Sequence, residues 1–133
     1  MKRLISLICV MFVLISTVGC STEPQGDIDL TAYLGRDAYT ELETIVRDPE
    51  SYVGRKLKLC GEYMTSESQV TGELMHLCVI TNEDNGYRTY IEFQLAQGTE
   101  YPKENTTIIV SGYLQTVTRL NTTYAIMLGA TIQ

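Results

Sequence analysis

The chain of 133 residues has no tryptophan, one histidine and fewer basic than acidic residues, ten against sixteen. The resulting net charge of −6 repels phosphate backbones, which argues against nucleic acid as a partner. The length leaves room for a single domain. We therefore expect one acidic domain that does not bind nucleic acid.

Motifs of catalysis are also missing from the sequence. No glycine-rich phosphate loop, nucleophile elbow or zinc-protease HExxH motif is present. The single histidine, His76, has no obvious nucleophile to complete a catalytic triad. Glu62 and Glu92 could form a carboxylate pair, but exposed strand carboxylates are usually only solvated. We expect a protein that is not an enzyme and carries no cofactor; a cell-envelope hydrolase without a readable motif is an alternative.

The N-terminus carries the strongest signal. Lys2 and Arg3 precede an apolar run from Leu4 to Ile15, which is the pattern of a secretory signal peptide. The run is too short for a membrane-spanning helix, which needs about 20 residues. Gly19 and Cys20 at its end resemble a bacterial lipobox, in which the cysteine is lipidated and becomes the first residue. A plain secretory signal or an uncleaved anchor are the alternatives.

These features predict three parts of the chain. Residues 1–19 form a lipoprotein signal peptide, and residues 20–36 contain the lipidated Cys20 and a flexible tether. Residues 37–133 form the domain. Two or three acyl chains on Cys20 would hold the domain permanently on the extracytoplasmic face of the cell membrane.

The domain is predicted to be mainly β. Apolar residues at three- and four-residue spacing predict a helix over Asp37–Arg47, ended by Pro49. Alternating patterns then predict five strands. The strands run from Leu57 to Tyr63, Leu74 to Thr81, Tyr87 to Leu95, Thr106 to Thr116 and Thr122 to Ile132.

Two glycines lie inside these strands, Gly61 in the first and Gly112 in the fourth, where a closed sheet would bend sharply. We therefore predict a five-stranded OB-fold-like small barrel preceded by a short α-helix. A five-stranded open sheet or a small sandwich are alternatives. The helix has a narrow apolar stripe, so it should dock on the barrel and contribute less stability than the strands. The expected inward residues are Leu57, Leu59, Ile91, Phe93, Ile108, Val110, Ile126 and Leu128.

The run from Asp48 to Lys56, with sequence DPESYVGRK, has the pattern DPE-x-Y-x-G-[KR]. Together with Tyr90–Phe93, Tyr101-Pro102 and Ile109–Tyr113, this run resembles a group of small exported OB-fold lipoproteins from Firmicutes. Members have no established activity, and several carry adjacent cysteines where this chain has residues 87–90. A metal or redox role built on those cysteines therefore does not transfer.

Cys60 and Cys78 are the cysteines left beside Cys20 after processing. If the first two strands pair around the loop at 67–70, Cys60 lies opposite Cys78, and an exported domain with two cysteines favours a disulfide. Two free buried thiols are an alternative. His76 alternates onto the face of Cys78, so Cys60, His76 and Cys78 could instead bind zinc or copper, with Glu62 opposite His76 as a fourth ligand.

OB-folds bind ligands on the second and third strands and the flanking loops. The outward residues there are predicted to be His76, Arg88, Tyr90, Glu92 and Gln94. Such a polar and aromatic patch suits a peptide, a glycan or an envelope protein. We therefore expect a membrane-anchored binding module, with a metal-handling protein as the main alternative.

Overall fold

The computed structural model describes residues 26–33 and 35–133. The signal peptide predicted over residues 1–19 and the lipidation predicted at Cys20 lie outside the described residues. Within the described ranges, no helix is long and apolar enough to cross a membrane.

The fold is mainly β, with one six-stranded sheet and one short α-helix. All five predicted strands are present, the second and fifth with the predicted bounds, and one further strand precedes the helix. The elements in chain order are β1 (Ile28–Asp29), α1 (Gly35–Arg47), a 3₁₀ helix (Pro49–Tyr52), β2 (Lys56–Glu67), β3 (Leu74–Thr81), β4 (Arg88–Leu95), β5 (Thr107–Arg119) and β6 (Thr122–Ile132).

Five of the six strands pair in a closed ring. The order of neighbours is β2, β3, β4, β6 and β5, and β5 pairs back with β2. β4 and β6 run parallel, whereas the other pairs in the ring are antiparallel. This arrangement excludes the open sheet that the sequence left as an alternative.

The ring closes because β2 divides its length between two partners. Residues 56–62 pair with β5, and residues 62–67 pair with β3. Gly61 lies at the change of partner, and a Cβ there would approach the carbonyl oxygen of Val79 to 2.6 Å. Only glycine allows this close approach of the two backbones. The glycine that the sequence has inside this strand is therefore needed where β2 changes partner.

The interior of the ring is apolar. Six of the eight predicted inward residues are buried, namely Leu57, Leu59, Ile91, Phe93, Ile108 and Val110. The prediction was wrong for β6, where Ile126 is only half-buried and Leu128 is exposed. There the inward positions are Ala125, Met127 and Ala130. Ile126 lies on the opposite face of β6, and its partners on the neighbouring strands are Glu92 and Gln115.

Helix α1 is part of the core. Leu42 and Ile45 are fully buried in the same cluster as Phe93, and α1 contacts β3, β4 and β6. The predicted docking of the helix on the strands is therefore confirmed, and its fully buried side chains indicate a larger share of the core than the narrow apolar stripe suggested. A short amphipathic helix gains its stability from such packing and not from its own propensity.

The domain begins earlier than the predicted boundary at Asp37. β1 pairs in parallel with β2, and the Leu30 amide donates a hydrogen bond to the Lys58 carbonyl at 2.8 Å. The side chain of Leu30 is buried in the core. The C-terminal part of the predicted tether thus belongs to the domain. The sequence did not reveal this, because the polar composition of the segment does not show that its one leucine is buried.

The turn before β2 has a structural role. Pro49 is buried, and the Ser51 hydroxyl donates to the Asp48 carboxylate at 2.6 Å. The Gly54 amide donates to the Leu114 carbonyl, and the Leu114 amide donates to the Arg55 carbonyl. The turn therefore fastens the start of β2 to β5.

Candidate ligand-binding groove

A cavity of about 460 Å³, called the groove from here on, crosses β4. It extends from the end of α1 to the β2–β3 loop and to the hairpin between β5 and β6. Arg88, Tyr90 and Glu92, three of the five predicted ligand-binding residues, line it. The other lining residues are Glu43, Val46, Ser66, Glu67, Ser68, Gln69, Val70, Met75, Thr89, Arg119, Leu120, Tyr124 and Ala125.

A second cavity of about 430 Å³, called the recess, shares Glu92 and Arg119 with the groove. It contains His76 and Gln94, the two remaining predicted ligand-binding residues. The five candidates are therefore divided between two adjoining cavities. Arg88 and Tyr90 line the groove, His76 and Gln94 line the recess, and Glu92 lines both.

An ion pair forms the wall between the groove and the recess. The Arg119 guanidinium donates two hydrogen bonds to the Glu92 carboxylate, at 2.6 and 3.0 Å. Both side chains are largely buried, with 16% and 14% of their surface exposed. The hydrogen bonds to Glu92 raise the pKa of Arg119. This bidentate pair ties the β5–β6 hairpin to β4 across β6.

Sequence reasoning missed Arg119. The only local signal is its position before a two-residue hairpin turn. Its partner Glu92 lies 27 residues earlier in the chain. Periodicity within one strand does not indicate such a contact.

His76 belongs to an aromatic cluster on the inner side of the sheet. Its ring stacks on Tyr101 with centroids 3.5 Å apart, and its Nδ1 is hydrogen-bonded to the Tyr63 hydroxyl at 2.7 Å. Burial lowers the pKa of His76, against a smaller opposing effect of the Glu92 charge. The predicted partner Glu62 pairs with Val79, and Thr65 lies opposite His76. Burial also raises the pKa of Tyr63, which keeps its hydroxyl protonated.

The two cysteines do not meet as predicted. β3 pairs Cys78 with Tyr63, which shifts the register by three residues from the one that placed Cys60 opposite Cys78. An odd shift reverses the face of a strand residue. Cys60 is accordingly exposed and Cys78 is buried, and both are free thiols in the structure. The structure therefore lacks the predicted disulfide.

The metal alternative that used Cys60, His76 and Cys78 is not assembled either. Cys60 lies on the opposite face of β2 from the residues that contact His76 and Cys78. Burial, with a further contribution from Cys60, raises the pKa of the Cys78 thiol to about 12. Across residues 26–33 and 35–133, no group of three or more His, Cys, Asp or Glu side chains could hold a metal ion.

Apolar side chains are exposed along the groove. Val70, Tyr90, Leu120 and Tyr124 all line it with much of their surface open to solvent. Exposed apolar side chains that gather in one concave place mark binding surfaces more often than scattered ones do.

Comparison of the chain with protein-family models, curated proteins and solved structures finds no match.

Proposed function

We propose that the protein is a bacterial lipoprotein, anchored through Cys20 to the extracytoplasmic face of the cell membrane, whose domain binds a ligand in the groove. The observation that carries this proposal is the position of the groove. It lies between the β2–β3 loop and the β5–β6 hairpin and crosses β4. OB-folds bind their ligands between the corresponding loops.

The strand order supports an OB-type barrel. If β2 to β6 are counted as the first to fifth strands of the ring, their order around it is first, second, third, fifth and fourth. The first and fourth strands then pair and close the ring. The third and fifth strands run parallel. A five-stranded Greek-key barrel of this kind is the OB architecture. On this assignment β3 and β4 are the second and third strands of the barrel, whose face and flanking loops form the ligand site.

The charge of the domain restricts the ligand. Between residues 26 and 133 there are 15 acidic and 8 basic residues. Oligonucleotides are therefore poor candidates. The remaining partners are a peptide, a glycan or an envelope protein, each able to lie along a groove at the membrane surface.

Two exposed tyrosines test the groove. The processed chain, extracted from bacterial membranes in mild detergent, would be screened by calorimetry against short peptides and oligosaccharides. We expect a ligand whose affinity falls about tenfold or more in Tyr90→Ala, since buried aromatic contacts dominate binding. Tyr113, equally exposed but outside the groove, is the matched control. Equal losses in Tyr90→Ala and Tyr113→Ala, or no ligand at all, would overturn the proposal.

Anchoring is tested separately. We expect the unchanged chain to fractionate with bacterial membranes and a Cys20→Ala variant to leave them. Mass spectrometry of the membrane form should show a diacylglycerol on an N-terminal Cys20. Equal release of both forms into the soluble fraction would overturn the lipid anchor and leave the groove untouched.

A further inference from the structure

We infer that the ligand of the groove is a cationic peptide segment with apolar side chains, and that Leu120 is its main contact. This inference rests on the proposed function, because it names the class of ligand for the same groove. Four observations on the groove lead to it, concerning its apolar lining, the conformation of Leu120, the surrounding charge and the pairing of the strands.

Most of the exposed surface of the lining is apolar, although nine of its sixteen residues are polar or charged. Val46, Val70, Met75, Leu120 and Tyr124 line the groove from α1, the β2–β3 loop, β3 and the β5–β6 hairpin. Aliphatic walls accept Leu, Ile or Phe side chains of a peptide. A glycan would need hydrogen-bonding groups along most of its length. The flexible Met75 side chain also adapts to different apolar partners.

Leu120 occupies a position for which leucine is poorly suited. Leu120 and Asn121 form the two-residue turn between β5 and β6, with φ of +45° and +63°. Asparagine and glycine are the residues that favour such a left-handed turn, and leucine is strained there. The Leu120 side chain is 74% exposed, the most of any large apolar residue in the described ranges.

The fold therefore gains little from leucine at this position. Strained residues that persist without a packing reason point to a function in binding. The Arg119–Glu92 ion pair lies next to the turn and holds it against β4. Leu120 is thus presented on a fixed hairpin, and a fixed side chain loses little entropy when a partner covers it.

The surrounding charge favours a cationic partner. Glu43, Glu67 and Glu92 line the groove beside Arg88 and Arg119, and Glu73 lines the adjoining recess. Glu92 and Arg119 neutralise each other and Glu43 is paired with Arg47, so the local excess is one negative charge, from Glu67 and Glu73 against Arg88. The acidic surface of the whole domain adds to the same field, which attracts cations and repels anions.

The pairing of the strands shows how a peptide would be held. The pairing of β4 with β6 begins at Glu92 and Ile126, so the preceding residues of both strands, which line the groove, each have a strand neighbour on one side only. A peptide in the groove can therefore gain main-chain hydrogen bonds from these strand edges. Its side chains are selected by the side chains of the groove, Leu120 and Tyr90 among them.

Three peptides test the inference with the detergent-extracted processed chain. They share a Leu-Pro-Phe centre and differ only in flanking Lys, Gln or Glu residues, and an oligomer of N-acetylglucosamine is the fourth probe. We expect the Lys peptide to bind at least about tenfold more tightly than the Glu peptide, with a preference that falls as salt rises. We expect no binding of the oligosaccharide.

Leu120→Asn separates a binding role from a structural one. Asparagine suits the left-handed turn, so we expect the melting temperature to stay unchanged or to rise by about 2–6 °C, while affinity for the Lys peptide falls about tenfold. Val53→Asn, which removes an exposed valine outside the groove, should leave that affinity unchanged. A structural Leu120 would instead give a lower melting temperature.

The outcomes distinguish the two proposals. Oligosaccharide binding that Tyr90→Ala abolishes would overturn the peptide and retain the binding groove. Equal affinity for the Lys and Glu peptides would overturn the cationic ligand, and unchanged affinity in Leu120→Asn would overturn the role of Leu120. Failure of all four probes to bind would overturn the peptide ligand, and the wider screen with Tyr90→Ala would then decide the groove.

Discussion

The ring of His76 is half-buried against Tyr63 and Tyr101. Burial lowers its pKa from the ordinary value of 6.5, so the folded chain takes up this proton less readily than the unfolded chain. The free energy of unfolding should therefore be unaffected by His76 above about pH 6.5 and should decrease as the pH falls below that value towards the folded pKa.

Because His76 is the only histidine in the chain, its ring signal in a proton NMR spectrum needs no assignment. We expect its titration midpoint to lie below that of the same chain unfolded in urea. His76→Gln should reduce the loss of stability between about pH 7 and about pH 5.5. A midpoint at or above the unfolded one would show that the ring is not desolvated.

Cys60 and Cys78 should differ strongly in reactivity. Cys60 is exposed, whereas burial raises the pKa of the Cys78 thiol to about 12 and leaves almost no thiolate at neutral pH. Iodoacetamide should modify Cys60 of the folded chain and reach Cys78 only after unfolding. Cys60→Ser, in which fast labelling should disappear, is the control. An intact mass two hydrogens lower would instead reveal the disulfide that the sequence suggested.

The individual residues show where sequence reasoning works. Alternation along β4 placed Arg88, Tyr90, Glu92 and Gln94 on one face, because side chains of a regular strand alternate. It could not place Arg119 beside Glu92, since that contact depends on β6 lying between β4 and β5. The strain at Leu120 was also unreadable, because the turn conformation follows from the register of the hairpin.

At the scale of elements, α1 contributes to the same core as the strands. Leu42 and Phe93 are both fully buried in one cluster. Leu42→Ala should therefore cost about 2–5 kcal/mol of unfolding free energy, close to the about 3–5 kcal/mol expected for Phe93→Ala. Urea denaturation of both variants measures the two values.

The neighbouring Glu41, which is exposed on the same helix, is the control. Glu41→Ala should change the unfolding free energy by no more than about 0.5 kcal/mol. If Leu42→Ala cost no more than Glu41→Ala, α1 would be a peripheral element, as its narrow apolar stripe suggests in the sequence.

The strands were readable from the sequence, but their register was not. Alternation and turn residues located β3 and β6 at their observed bounds. The predicted register between β2 and β3 was wrong by three residues. The first half of β2 pairs with β5, and the pairing of β2 with β3 starts only at Glu62. Local periodicity does not show that one strand is shared between two partners. Because of this error, the predicted register placed Cys60 on the same face as Cys78, whereas the structure places it on the opposite face.

At the scale of the whole molecule, the groove depends on parts that are distant in sequence. The end of α1, the β2–β3 loop, β4 and the β5–β6 hairpin come together only when the ring closes. The sequence predicted the ring through its glycines and strand count. It could not predict the groove, which requires the lengths and directions of two loops.

The extent of the domain also appears only at this scale. β1 extends the sheet beside β2, and Leu30 fills part of the core ahead of α1. A chain beginning at Asp37 would lose both, together with the first residues of α1. We expect it to be less stable than a chain beginning at Gly26 by at least the about 2–5 kcal/mol that a buried leucine contributes, a large part of a total of about 5–15 kcal/mol.

The point variant Leu30→Ala, made in the full chain, separates the core contact from the loss of helix residues. We expect it to lower the unfolding free energy by about 2–5 kcal/mol, while Asp27→Ala, at an exposed position just before β1, leaves it within about 0.5 kcal/mol. Urea melts of the two shortened chains, the two variants and the unchanged full chain give the comparison. Equal stability of the chains beginning at Gly26 and Asp37 would show that residues 26–36 are part of the tether. The maximum distance between the domain and the membrane would then be larger by about 3.3–3.6 Å for each of these residues.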